Sequence, residues 1–368
     1  MQQVDHLTTT PEAPPRGSSG AFVWVRKNLF GSIFSSILTL VICGLIIWFV
    51  PSLVEWALIK AVWPGAGADA CRAASGEGAC WAVIGDKWRL IIFGRYPFDE
   101  HWRPTLAMLV LMGTVLVSCD RRFWSARLIV VWILGMLVFL WLMGGGFGLT
   151  SVPTGLWGGL PLTMMLAFFG MVVAFPLAIL LALGRRSSLP LIKVVSVVYI
   201  ELIRGVPLIS LLFMGSFLLP LFMPAGTTID AVLRAQIAII LFQAAYLAET
   251  IRGGLQALPK GQSEAADALA LGYWKTQLLI VLPQALKISI PPIVGSLISL
   301  FKDTSLVAIV SLSDLLLSMR QAMGDPVWRP FFVEAFLFIM LIYWAFCFSM
   351  SKYSQYLERT LETGHRRR

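Results

Sequence analysis

Asp303 and Ser296 lie seven residues apart in an otherwise apolar stretch, and if one helix carries both, two turns put them on the same face. There the carboxylate would meet a cationic ammonium group, and the hydroxyl would offer a further hydrogen bond. For Asp303, beside Lys302, the alternative is a structural cap at a helix end. Glu201 and Arg204 are three residues apart, so on a helix they either form an ion pair between neighbouring turns or leave Arg204 open to a carboxylate. Covalent chemistry finds no support. The three histidines, His6, His101 and His365, belong to no Ser/His/Asp or metal constellation. The chain also lacks a Gly-x-x-x-x-Gly-Lys-Ser/Thr phosphate loop. Of the five cysteines only Cys71 and Cys80 share a polar loop, and spacing alone leaves open a disulfide or two free thiols.

The elements that must position these groups are membrane helices. Hydrophobic residues make up 58% of the 368 positions and charged ones 13%, against roughly 45–50% and about 25% in a soluble chain. A bilayer core takes about 20 mostly apolar helical residues. Such blocks occur near 29–50, 104–119, 124–143, 159–183, 194–220, 232–251, 276–300 and 331–350. The expectation is an all-α polytopic protein with about eight transmembrane helices, the block 104–119 being short for a span. The net charge of +9 sits in small clusters between apolar blocks rather than along one stripe, which excludes nucleic acid as a partner and leaves membrane lipid.

Those clusters set the orientation. Arg26 and Lys27, then Arg121, Arg122 and Arg127, then Arg185, Arg186 and Lys193, then Arg252, Lys260 and Lys275, and finally Lys352, Arg359 and Arg366 to Arg368 all fall on one side. Both termini are therefore expected in the cytoplasm of a multi-pass protein. Residues 1–22 read as a disordered tail with no cleavable signal, so the first helix stays as an anchor. Residues 23–150 read as a membrane region of three helices with an external loop, which carries Trp63, Trp81, Trp88 and Trp102 at the outer interface. Residues 155–355 form the core, and 356–368 a basic tail.

The inside segment 252–272 is the most patterned. Gly253, Gly254 and Pro259 are expected to break the chain and serve as turns or hinges. After them Gln262 or Ser263 starts a short helix with Glu264 and Asp267 near its positive end. Ala265, Ala268, Leu269 and Gly272 recur along one face, small enough for close docking of a partner. Within the membrane, Pro283, Pro291 and Pro292 punctuate one helix and favour kinks, while Met214, Phe217, Phe222 and Met223 offer either an apolar gate or ordinary packing.

Glu264-Ala265-Ala266 followed by Ile280-Val281-Leu282-Pro283 resembles the EAA signature of ABC importer permeases. Gly159-Leu160-Pro161-Leu162-Thr163, Glu201 to Leu208, Arg252 to Gln256, and Lys302-Asp303-Thr304-Ser305-Leu306 extend the resemblance to the polar amino acid (HisM-like) permeases. Within these the chain is most similar to the AapM/BztC type of general L-amino acid permease, closely over about 155–355 and by arrangement before that. The resemblance implies a MetI-like five-helix core. It implies ATPase coupling through Gly261, Glu264, Ala265, Ala266, Leu269, Ala270 and Gly272, and a substrate path past Ser296, Asp303, Thr304, Glu201 and Arg204. One departure is that Ala270 occupies the position of the signature's usual glycine, with Gly272 two residues later. Because alanine disfavours positive φ, the turn is expected to be placed differently.

The implied partners are an ABC ATPase dimer, a second homologous permease, a periplasmic amino-acid-binding protein and an L-amino acid substrate, in a bacterial inner (plasma) membrane. This chain is then not an enzyme and binds no cofactor, with ATP and Mg used by the ATPase. The rival readings are an ion-gradient-driven secondary transporter, against which no internal repeat is evident, and a non-transport membrane scaffold.

Overall fold

Segments rich in apolar residues but short of internal polar partners close their backbone hydrogen bonds as helices, and the computed structural model shows this along most of the chain. It describes residues 21–361 except 225 and 228. The expectations for 1–20 and for 362–368 fall outside the described residues. Ala21 and Phe22 already belong to a helix, and the last helix runs on to Leu361, through the start of the stretch read as a basic tail. Contacts divide the chain into two units, 1–82 and 83–368.

In the first unit, α1 (Ala21–Leu29) leads to α2 (Ile33–Val54), which continues as a π-helical turn over Glu55–Ile59. The Ser32 side chain caps α2 by accepting from the Ser35 amide, and the Thr39 hydroxyl donates to the Leu29 carbonyl at 2.9 Å. After α3 (Gly67–Ala73), Cys71 and Cys80 are disulfide-bonded, with Cα atoms 5.4 Å apart. Trp81 donates its indole N–H to the Ala57 carbonyl at 2.8 Å, so this aromatic ties the loop back to the end of the first span.

The second unit carries α4 (from Ala82 to Phe93), α5 (Trp102–Cys119) and α6 (Arg127–Gly144). Arg103, fully buried, fastens α5 to the end of α6 and the loop beyond it. Its Nε donates to the Leu142 carbonyl at 2.8 Å and its Nη1 to the Thr150 carbonyl at 2.9 Å. Then follow α7 (Gly159–Arg185), α8 (Pro190–Gly205), α9 (Leu208–Phe213), a π turn over Met214–Leu218, α10 (Leu219–Leu221), α11 (Ala231–Gln256) and α12 (Gly261–Ala268). Next come α13 (Tyr273–Thr276), a π turn over Gln277–Val281, α14 (Leu282–Asp303), α15 (Leu315–Ala322) and α16 (Phe332–Leu361).

Among the described residues seven helical runs are long and apolar enough to cross a membrane, and one bent pair raises the number to eight. The block 104–119 is not short after all, since its run begins at Phe98. The block 194–220 is not one straight span. α8 and the segment Leu208–Leu221 meet at 101°, because Pro207 supplies no amide hydrogen and pushes Val206 into an extended conformation, φ −109° and ψ 131°.

The core is the pairing of α7 with α11. Ala167, Ala174, Ala178 and Ala182 of α7 are fully buried, as are Ala235, Ala244, Ala245 and Ala248 of α11. Small side chains let the two backbones approach, the geometry by which helices associate in lipid. At the start of α7, Gly159 adopts φ +65°, and a Cβ there would stand 1.9 Å from the Ile92 carbonyl oxygen. Only glycine accepts both conditions. In return its amide donates to the Ser313 carbonyl at 2.8 Å, and the Thr163 hydroxyl accepts from the Leu315 amide at 3.0 Å. The Gly159 to Thr163 motif thus anchors the segment around α15.

Candidate ATPase-docking loop and solute path

Past Gln256 the chain leaves α11 and re-forms as α12, whose first bonds run to the carbonyls of Pro259 and Lys260. The helix therefore begins at Gly261, ahead of both Gln262 and Ser263, and no side chain caps it. A proline just ahead of a helix suits this start, its φ being fixed and its missing donor unneeded there. Gly253 and Gly254 do not break the chain, since α11 runs through both. Gly254 serves a different end: a Cβ there would lie 2.1 Å from the Ser289 hydroxyl and 2.6 Å from the Ala285 carbonyl oxygen, so the glycine lets α14 close on α11.

α12 meets its own protein through one buried side chain, Ala266, and through the Gln284 amide, which donates to the Gln262 side-chain oxygen at 3.1 Å. Gly261, Glu264, Ala265, Ala268, Leu269, Ala270 and Gly272 are exposed. Leu269 is 74% exposed, a large apolar side chain with nothing over it. Along the flank of the helix, Arg186, Lys260, Ser263, Glu264 and Asp267 line an open polar cavity of about 240 Å³. Arg186 braces that space by donating to the Leu255 carbonyl at 3.1 Å.

The end of α12 corrects the expectation for the turn. The Leu271 amide donates to the Ala266 carbonyl at 3.1 Å and the Ala270 amide to the Asp267 carbonyl at 2.9 Å. This is the paired bonding of a Schellman cap, in which the residue after the cap is left-handed. That residue is Ala270, with φ +54°, whereas Gly272 has φ −67°. The turn stays where the signature places it, and the alanine bears the strain.

Glu201 and Arg204 do not form the expected pair. Glu201 accepts from Arg185 at 2.7 Å, while the Arg204 guanidinium lies 5.6 Å from the centre of the Tyr246 ring. α8 packs against both α7 and α11 here, so Glu201 faces the end of α7 and Arg204 the flank of α11. Arg185 also stands 3.6 Å from Glu249. The Arg252 Nε donates to both Glu249 oxygens at 2.9 Å, and its Nη2 donates to one of them. Glu249 was missed by sequence reasoning, and Arg185 and Arg252 were read there only as charges that set the orientation and, for Arg252, as part of the family motif, although the i,i+3 spacing of Glu249 and Arg252 was a signal.

Ser296 and Asp303 do share the continuous helix α14, and both are half-buried. The Ser296 hydroxyl donates to the Pro292 carbonyl at 3.1 Å, which uses its one donor and leaves its oxygen as an acceptor. Thr304 is fully buried and its hydroxyl donates to the Phe301 carbonyl at 2.8 Å. It helps to seat the aromatic group in which Phe301 stacks on Phe346, ring centres 5.1 Å apart, and it does not line an open path.

The family model of the binding-protein-dependent transport system inner membrane component matches residues 174–363, which takes in α12, α14 and the charged network. This chain belongs to that family. It is 50% identical over 365 residues to the inner membrane amino-acid ABC transporter permease protein YhdY of Escherichia coli K12, across 97% of this chain and 98% of that protein. To the glutamate/glutamine/aspartate/asparagine transport system permease protein BztC of Rhodobacter capsulatus it is 39% identical, with 97% of each covered. A solved amino acid ABC transporter with histidines is 31% identical, covers 55% of this chain and 92% of its own, and superposes with a TM-score of 0.49. The chain is thus a multi-pass inner membrane component of an ABC transport system.

Proposed function

We propose that this chain is one of two permease subunits of an ATP-driven importer of L-amino acids, working with an ATPase dimer and an external binding protein. The observation that carries the reading is α12: a short helix held by one buried alanine, with Glu264, Ala265 and Leu269 turned outward and a fixed Schellman turn at its end. Such a helix moves as a unit when a partner pulls on its exposed face. ATP and Mg would be held by the partner ATPase, whose closure α12 would transmit through α11 and α14 to the membrane helices. The Arg185, Glu201, Glu249 and Arg252 network lies at the ends of α7, α8 and α11 nearest α12, where relative motion of these helices would remake its ion pairs. Both termini would lie on the ATPase side, in line with the placement of Lys and Arg.

For the solute, Asp303 with Ser296 supplies an acceptor surface for an α-ammonium group, and Arg204 a cation for a carboxylate. The relatives named for amino acids support that cargo. The test is to purify the assembled transporter and measure ATP hydrolysis with binding protein and L-amino acids. Solute-stimulated hydrolysis that is lost in Ala265→Trp, with Asp303→Ala weakening stimulation while leaving basal hydrolysis intact, is the expected result. Uptake that persists without any co-purifying ATPase would overturn the proposal.

A further inference from the structure

We infer that the cavity between α11 and the α9–α10 segment is a binding site for an anionic glycerophospholipid, with Arg234 holding the phosphodiester. The cavity has a volume of about 360 Å³ and is walled by apolar side chains, among them Leu211, Leu218, Phe222 and Ile237. The π turn over Met214–Leu218 forms one wall, and a Cβ at Gly215 would stand 3.8 Å from the Arg234 carbonyl oxygen, so the turn runs close beside α11. Arg234 supplies the cavity's cationic group. Its Nε is buried and has no hydrogen-bond partner, and no carboxylate among the described residues lies within 4.0 Å of the guanidinium. Asp230, one turn earlier, is already engaged: it accepts from the amides of Val232 and Leu233 and from the Thr154 hydroxyl. A guanidinium left with a dry, unsatisfied donor is costly, and an anion from outside the chain removes that cost.

Depth and charge select the ligand. Arg234 precedes Gln256, the last residue of α11, by 22 positions, which is about 33 Å along a helix. A hydrocarbon core is about 30 Å thick. When the α12 end of α11 lies at one interface, Arg234 therefore stands at the phosphates of the opposite leaflet. The apolar walls below it match an acyl chain, and the exposed Phe222 and Leu219 flank the opening. A free amino acid fits poorly, because its ammonium group would find no carboxylate in the cavity. A headgroup bearing an ammonium meets the same objection, which favours a lipid whose only charge is the phosphodiester. Arg engages that group through two parallel N–H donors.

The experiment is extraction and quantification of phospholipid retained by the assembled transporter after detergent purification. Wild type, Arg234→Gln and the cavity-filling Leu218→Trp are compared. Wild type is expected to retain anionic phospholipid, and each variant to lose about tenfold in affinity, the equivalent of roughly 1.4 kcal/mol, with ATPase association unchanged. Equal retention in all three overturns the assignment. Where a variant fails to assemble, Phe222→benzoylphenylalanine in an otherwise unaltered chain decides: photo-crosslinks to phospholipid support the site, and crosslinks to a second permease overturn it. Loss of solute-stimulated hydrolysis in Arg234→Gln with lipid retention unchanged would place the cavity on the solute path and overturn it too.

Discussion

The run from α2 through its π turn and the helix α7 are each 27 residues long and reach the same mean hydropathy, 2.6, over their most apolar windows. Yet 56% of that window in α7 is buried and none of it in α2. The difference is in side-chain size. α7 interleaves Gly170 and four buried alanines among its larger residues, so a neighbouring backbone can come close. α2 presents Ile, Leu, Trp and Phe nearly all round, a surface that lipid tails solvate as well as protein does. Hydropathy sets whether a helix can cross the membrane, and the spacing of small residues sets how closely another backbone of its own unit can approach it.

The strongest test of that contrast compares two glycines. A Cβ at Gly170 would stand 2.8 Å from the Ile239 side chain, whereas nothing lies within 4 Å of one at Gly44 in α2. Gly170→Leu is expected to destabilise the protein by about 3 kcal/mol, at the upper end for overpacking, and Gly44→Leu by no more than about 0.5 kcal/mol. Thermal unfolding in detergent measures both, and equal losses would dissolve the distinction.

Within the second unit, half-buried and exposed charges should separate in the same way. Glu249→Gln leaves Arg185 and Arg252 close together without their shared carboxylate, and a loss of about 1–2 kcal/mol is expected, between the values for surface and buried pairs. Glu201 has a more exposed side chain, so Glu201→Gln should cost at most about 0.5 kcal/mol. A double-mutant cycle with Arg185→Gln would show which carboxylate the guanidinium depends on.

The segment joining α14 to α16 sharpens the comparison through pH. Asp314 is fully buried and caps α15, accepting from the amides of Leu316 and Leu317 at 3.0 Å. Burial raises its carboxyl from 3.8 to about 6 against the pull of those two bonds. A raised acid contributes stability that is complete below 3.8 and is lost as pH rises through about 6. Unfolding followed between pH 5 and pH 7 should show a fall on the order of 1 kcal/mol. Asp314→Asn, which keeps one of the two capping acceptors and cannot ionise, should flatten that dependence.

The smallest effect belongs to the exposed loop. Ala270→Gly relieves a left-handed alanine but adds freedom to the unfolded chain, for a net gain of about 0.5 kcal/mol. Slower amide exchange at Leu271, whose amide closes the cap on Ala266, would register it, and faster exchange would show that the alanine is not strained.

Much of this architecture was legible in the sequence, because crossing a membrane is a local property: twenty apolar residues suffice wherever they lie. The eight blocks, the short helix after Pro259 and its outward Glu264, Ala265 and Leu269 all follow from neighbours in the chain. The bend at Pro207 was not read, and 194–220 stood as one block, although proline's effect on its own and the preceding residue is a local signal. Tertiary structure alone decided which partner each group took. Arg185 displaced Arg204 at Glu201 because α8 packs on the end of α7. Thr304 fell into an aromatic cluster rather than a path because α16 covers it. Ala270 took the left-handed turn although Gly272 was at hand, because the amide bonds back to Ala266 and Asp267 fix the cap at that residue. Each of these outcomes depends on groups distant in sequence or on where a helix is made to stop, and neither is written in composition or spacing.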